Sequence, residues 1–288
     1  MKKTKFILLL SFVMFSINYT YSQEANAYTL LENISYRATE ALEDSYIAER
    51  CVLDIYYPEN IENFPTIIYF HGGGLKYGNK YIPEYLKEKG IAVVTVNYRF
   101  FPKVATDKIM DDAAASVAWV YQNIAEYGGD ESLVFLSGHS AGGYLASMLG
   151  LDKKYLKAYE IDANTLAGLI PFSGHAITHM AVREEQGIPM TKPLVDAMAP
   201  LYHVRADAPP YIIITGDRDQ ELLGRYEENA YMMRMMKLVG HEKTELYEIQ
   251  AYGHDMVYPA VPILLRKVNE ITKQLKEVGP EKVMDSIN

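Results

Sequence analysis

Ser140 stands between two glycines in Gly138-His139-Ser140-Ala141-Gly142-Gly143, directly after the apolar run Leu133-Val134-Phe135-Leu136 and before the helix-forming stretch Tyr144 to Leu149. A strand-to-helix turn this tight leaves no room for side chains at its flanks, so Gly138 and Gly142 let the serine hydroxyl stand clear of the sheet. A hydroxyl presented in this way can attack a carbonyl carbon once a base takes its proton. A second glycine cluster, His71-Gly72-Gly73-Gly74, closes the apolar run Thr66-Ile67-Ile68-Tyr69-Phe70. Successive glycines after a buried strand allow backbone N–H groups to turn toward a ligand, and a developing oxyanion needs such donors. The lone cysteine, Cys51, lies in the strand-like run Arg50 to Tyr57 and reads as a small buried hydrophobe, with no partner for an internal disulfide.

These residues need a scaffold, and the apolar pattern supplies one. Strand-like runs fall at Asn33 to Tyr36, Cys51 to Tyr57, Thr66 to Phe70, Ile91 to Asn97, Leu133 to Leu136, Leu166 to Phe172, Tyr211 to Thr215 and Thr244 to Ile249. Between them lie helical patterns at Lys80 to Lys89, at Asp107 to Ala125 and after Ser140, with a terminal helix over Pro259 to Leu275. Continuous apolar strands alternating with helices indicate an α/β fold, a mostly parallel central sheet with helices on both faces. The chain of 288 residues, 49% hydrophobic, is enough for one such domain over residues 23–288. Residues 173–210, with five prolines, exceed what a connection needs and are expected to form a lid or substrate-binding insertion over the strands' carboxyl ends.

The two glycine motifs, in this order and each at a strand's end, resemble the HGGG and GxSxG pair of the α/β-hydrolase esterases and lipases. The strand Val93 to Val96 with Asn97-Tyr98-Arg99, and Gly128-Gly129-Asp130 ahead of the serine strand, are similar to the hormone-sensitive-lipase-like and feruloyl-esterase-like members. The resemblance covers most of the chain from about Cys51 to Ile271. It implies the α/β-hydrolase fold and a serine carboxylic ester hydrolase that works through an acyl-enzyme, with no cofactor and no metal. The chain order of that fold is Ser, acid, His, which makes Ser140 the nucleophile and His254, in Tyr252-Gly253-His254-Asp255, the base. The family's spacing places the acid at Asp219 in Gly216-Asp217-Arg218-Asp219, with Asp217 stabilising the turn and Glu221 and Asp255 as weaker rivals. Gly73, Gly74 and Ala141 would supply the oxyanion donors. Leu75 departs from the aromatic residue that many relatives carry after the glycines, and with His139, His175 and His179 it is a candidate substrate contact.

The resemblance implies short-chain or carbohydrate-linked esters, acetyl or feruloyl, as substrates. A serine peptidase or an arylformamidase-like amidase would use the same side chains, and a non-catalytic binder on this scaffold would usually lack one of them. His175 and His179, four residues apart, could share a helical face toward zinc, but no third ligand or adjacent glutamate accompanies them. Lys2, Lys3 and Lys5 before the apolar run Phe6 to Phe15 read as a secretory signal over residues 1–22, so export to periplasm or medium is expected, without stable membrane insertion. Removing those residues, which carry three lysines and no acid, takes the formal charge from −9 to −12. A chain this acidic repels polyanions, which argues against nucleic acid as a partner.

Overall fold

The computed structural model describes residues 27–39 and 43–283, with side chains through 277; the expected signal segment, 1–22, lies outside the described residues. Among the described residues, eight strands form one sheet in the order β1-β2-β4-β3-β5-β6-β7-β8. They are β1 (Tyr28–Ser35), β2 (Val52–Pro58), β3 (Phe64–Phe70), β4 (Ala92–Val96), β5 (Gly129–His139), β6 (Gly168–Phe172), β7 (Tyr211–Gly216) and β8 (Thr244–Ile249). β1 and β2 run antiparallel to their neighbours, and the strands from β4 to β8 are parallel to one another. The helices are α1 (Ser45–Arg50), α2 (Thr106–Asn123), α3 (Ala141–Leu151), α4 (Lys154–Lys157), α5 (Met180–Glu185), α6 (Arg225–Leu238) and α7 (Val257–Val283).

Successive side chains of a strand point to opposite faces, and the central strands are apolar on both. Ile68 and Phe70 of β3, Val134 and Leu136 of β5 and Ile213 of β7 pack with Ile109 and Val117 of α2, Leu145 and Leu149 of α3 and Met232 and Met236 of α6. Their neighbours Ile67, Tyr69, Phe135, Ile212 and Ile214 face the other way, onto Ala260, Val261, Leu264 and Val268 of α7. The sheet is therefore sandwiched as its apolar pattern requires. This is the α/β-hydrolase fold.

One expected helix is missing. Lys80 to Lys89 contains only a short 3-10 turn, Glu84–Leu86. Pro83 bars a helix from the first half of the segment, and Lys87 (ψ 145°) and Glu88 (φ 59°) leave helical conformation just after the turn.

The Tyr98-Arg99 pair has a structural task. Arg99 makes a two-pronged ion pair with the wholly buried Asp112 of α2, at 2.8 Å for both Nε and Nη2, and Arg37 reaches the same carboxylate. Removing one partner of a buried pair strands the other charge, so Asp112→Ala is expected to lower stability by about 3–5 kcal/mol in a urea titration.

Candidate active site

β5 delivers Ser140 and α3 begins at the next residue. Ser140 sits at φ 56°, ψ −114°, a left-handed conformation that a residue with a Cβ rarely adopts. The turn is held by its N–H donating to Phe172 O at 2.8 Å and its carbonyl accepting from Tyr144 N–H at 3.0 Å. A Cβ on Gly142 would lie 1.9 Å from the Phe70 carbonyl oxygen, and one on Gly138 would lie 2.5 Å from the same atom. Both flanks of the serine are thus pressed against the end of β3.

That strand end is also where the glycine loop starts. Gly73 (φ 112°) and Gly74 (φ 63°) have positive φ, and the N–H groups of Lys76 and Tyr77 fold back onto Gly73 O. A Cβ on Gly72 would come within 3.4 Å of Ser140 Cβ, so the loop passes directly beside the serine. Among the described residues the N–H groups of Gly73, Gly74 and Ala141 have no acceptor. His71 supports the loop from beneath. Its ring stacks on Tyr98 at 4.4 Å, and its Nδ1–H donates to Gly72 O at 2.6 Å. Burial pushes its pKa down to about 4, so it is neutral and serves as a fixed donor.

His254 follows β8. Its Nδ1–H donates to Glu221 Oε2 at 3.0 Å, and its carbonyl accepts from His139 Nε2–H at 2.7 Å. The rings of His139 and His254 lie 4.7 Å apart. The residue next to Ser140 therefore holds the His254 loop in place. The Ser140 hydroxyl itself makes no hydrogen bond among the described residues. Burial, then the neighbouring His254, lower His139 to about 4 and keep it an uncharged donor.

The carboxylate beside His254 is Glu221, not Asp219. After β7 the chain makes one helical turn, with Gln220 and Glu221 N–H groups both donating to Asp217 O, at 3.0 and 2.8 Å. Residues 218–220 are thrown outward and 221 returns inward, so Asp219 is exposed while the Glu221 side chain is 1% exposed. Asp217 ties the turn together as expected, its side chain accepting from Asp219 and Ala251 N–H groups. That capping contact was the available signal: a residue four positions after a helix-starting aspartate lies above it on the same side. Burial alone would raise the Glu221 carboxyl, but the hydrogen bonds from His254, Ser173 and Leu222 outweigh it and hold it at about 2. Asp255 is exposed.

Three expected substrate contacts are occupied elsewhere. Leu75 is 1% exposed and belongs to the core on the α2 and α3 side. His175 is buried with both ring nitrogens engaged, Nδ1 with Glu228 at 3.0 Å and Nε2 with Arg225 at 2.7 Å. His179 is buried at the start of α5, where its Nδ1 accepts the Ala181 N–H. Among the described residues no group of three or more His, Cys, Asp or Glu is placed to hold a metal ion.

The structure thus brings together a left-handed serine between strand and helix, a glycine loop against it, and a Glu221-His254 pair bonded to His139, the serine's chain neighbour. Residues 53–227 match the BD-FAE family. The chain belongs to it. Beyond the family, this BD-FAE chain is 28% identical over 179 residues to a probable carboxylic ester hydrolase, LipM, of Mycobacterium tuberculosis, covering 54% of this chain and 41% of that one. It is 34% identical over 118 residues to a probable isoprenylcysteine alpha-carbonyl methylesterase, ICMEL1, of rice (Oryza sativa subsp. japonica), covering 39% and 28%. The match thus spans less than half the length of either relative. A truncated carbohydrate esterase from gut microbiota superposes with a TM-score of 0.69 at 19% identity, covering 88% of this chain and 99% of the other. Butyrate-bound Est2 of Thermogutta terrifontis does so with 0.64 at 22%, covering 89% and 95%. Both share the fold.

Proposed function

We propose that this BD-FAE chain is a serine carboxylic ester hydrolase with Ser140 as nucleophile, His254 as base and Glu221 as the acid that orients it. The observation that carries this reading is the Glu221-His254 pair tied to His139, the residue just before a serine in a left-handed turn. A neutral His254 with its Nδ1–H committed to Glu221 leaves Nε2 free to accept the Ser140 proton. The serine oxygen then bonds to the ester carbonyl carbon, and N–H groups of Gly73, Gly74 and Ala141 receive the negative oxygen. His254 returns the proton to the departing alcohol, which leaves an acyl-serine. Water, deprotonated by the same imidazole, releases the acid and restores the hydroxyl. Each oxyanion donor is worth about 10²–10³ in rate.

The names of the relatives support esters as the substrate class, and the carbohydrate esterase neighbour favours esterified carbohydrate. Residues 173–210 serve, in this reading, as the wall over the site. α5 within them is tied to the glycine loop through the Glu184-Lys76 pair and to the start of α2 through Glu185 and Thr106. Export rests on residues 1–22 alone. The described residues include no helix long and apolar enough to cross a membrane.

Release of nitrophenol from p-nitrophenyl acetate, set against an aminoacyl-anilide, tests the assignment. Hydrolysis of the ester with little of the anilide is the expected outcome, together with a mass increase on Ser140 after treatment with a fluorophosphonate. Preference for the anilide would make the protein an amidase. Failure of both substrates and of labelling would leave a binding protein.

A further inference from the structure

The two oxygens of Glu221 have different partners. Oε2 takes His254 Nδ1–H at 3.0 Å and the Leu222 N–H at 2.9 Å. Oε1 takes the Gly216 N–H at 3.2 Å and the hydroxyl of Ser173. Ser173 belongs to another part of the fold: it is the first residue beyond β6 and is wholly buried. Its φ is 45°, in the left-handed region, although the next residue, Gly174, is the one suited to such a value. A serine kept in that conformation is a strained residue, and strain of this kind is retained where the surroundings over-determine it.

The surroundings do so here. The Ser173 N–H donates to Ile214 O at 2.8 Å, and its carbonyl accepts from Nη1 of the buried Arg225. The same guanidinium reaches Glu228 Oε1 through Nε at 2.7 Å and His175 Nε2 through Nη2 at 2.7 Å. The second oxygen of Glu228 accepts the N–H groups of Ala176 and Ile177, both at 3.0 Å. Burial, then the charge of Arg225, keep His175 neutral, so its Nδ1–H can donate to Glu228 while Nε2 accepts from Arg225. An unbroken run of hydrogen bonds leads from Glu228 through Arg225, Ser173 and Glu221 to His254. The first part of that run touches none of the groups that would react.

We propose that Ser173 is a positioning residue for His254, acting through Glu221, and that Arg225 holds Ser173 in place for this task. A glutamate has one more rotatable bond than an aspartate, so its carboxylate can turn away from the imidazole unless its far oxygen is fixed. Beside the Gly216 N–H, which comes from the acid's own strand, the Ser173 hydroxyl supplies that fixing contact from the end of β6. The inference rests on the esterase reading above.

The test compares kcat and KM for p-nitrophenyl acetate in the wild type, Ser173→Ala, Ser173→Gly, Glu221→Ala and the Ser173→Ala/Glu221→Ala double variant. Ser173→Gly removes the hydroxyl while suiting the left-handed backbone, which guards against a folding defect in the alanine form. Both single replacements of Ser173 are expected to lower kcat by about ten- to hundredfold, with KM changed by less than about twofold. With Glu221 already removed, the serine replacement should cost less than about twofold, because its effect has no route left. Equal cost in both backgrounds, or wild-type kcat in Ser173→Gly, overturns the proposal. The low-field proton NMR signal of His254 Nδ1–H is the second readout: it should move or broaden in Ser173→Gly, and an unchanged signal counts against the brace. If Ser140→Ala retained full turnover, the esterase reading would fall, whereas the NMR comparison would still report on Ser173.

Discussion

Ser140→Ala is expected to lower kcat for p-nitrophenyl acetate by about 10⁶, leaving only the residual acceleration of about 10³–10⁴ that the oxyanion donors and binding give without a nucleophile. The size follows from the reaction proposed. Without the hydroxyl no acyl-enzyme forms, and His254 and Glu221 have no proton to move. The fold should be unaffected by the missing oxygen, because the serine hydroxyl makes no hydrogen bond among the described residues and the turn is held by backbone contacts to Phe172 and Tyr144. Turnover by the purified variant, measured beside its unfolding midpoint, checks both statements. A variant that kept more than a few per cent of wild-type kcat would remove Ser140 from the chemistry.

The second large effect separates two neighbouring carboxylates. Glu221→Ala is expected to cost about 10⁴ in kcat, the loss seen when a base of this type is deprived of the group that fixes its tautomer. Asp219→Asn should stay within about twofold of the wild type, since Asp219 is exposed and surface substitutions of this kind rarely reach a site. The reverse pattern, a dead Asp219→Asn and an active Glu221→Ala, would show that the loop rearranges when substrate binds. The ionisation of Glu221 adds a sign to this. Its pKa is held near 2, below the ordinary carboxyl value, so the stabilisation it gives is present above that ordinary value and is lost as pH falls toward 2.

Much of this was legible in the residues themselves. Apolar continuity marked the central strands, because a strand covered on both faces has no polar side to display. Gly138, Ser140 and Gly142 were legible because the turn excludes any side chain at its flanks. The acid was not. Family spacing points to Asp219, but the polypeptide turns once between Asp217 and Glu221, and the identity of an inward-facing side chain depends on that turn. The surroundings of His175 and His179, offered as candidate substrate contacts, were not legible either. The spacing of the two allows a shared ligand, and only packing shows that Glu228, Arg225 and the first turn of α5 already use those rings. Pro83 shows a local rule in conflict with a periodic one. Over Lys80 to Lys89 it stops a helix from crossing the first half, while Glu88, at positive φ, closes off the rest.

The location of His254 carries an expected thermal consequence. His254 follows β8, the last strand of the sheet, which among the described residues is hydrogen-bonded on one side only, to β7. Ser140 is carried by β5, flanked on both sides. Margins open at lower free energy than interiors. On the proposed esterase reading, warming is therefore expected to loosen the His254 loop before the strand that carries Ser140, so turnover should fall at temperatures where most of the secondary structure survives.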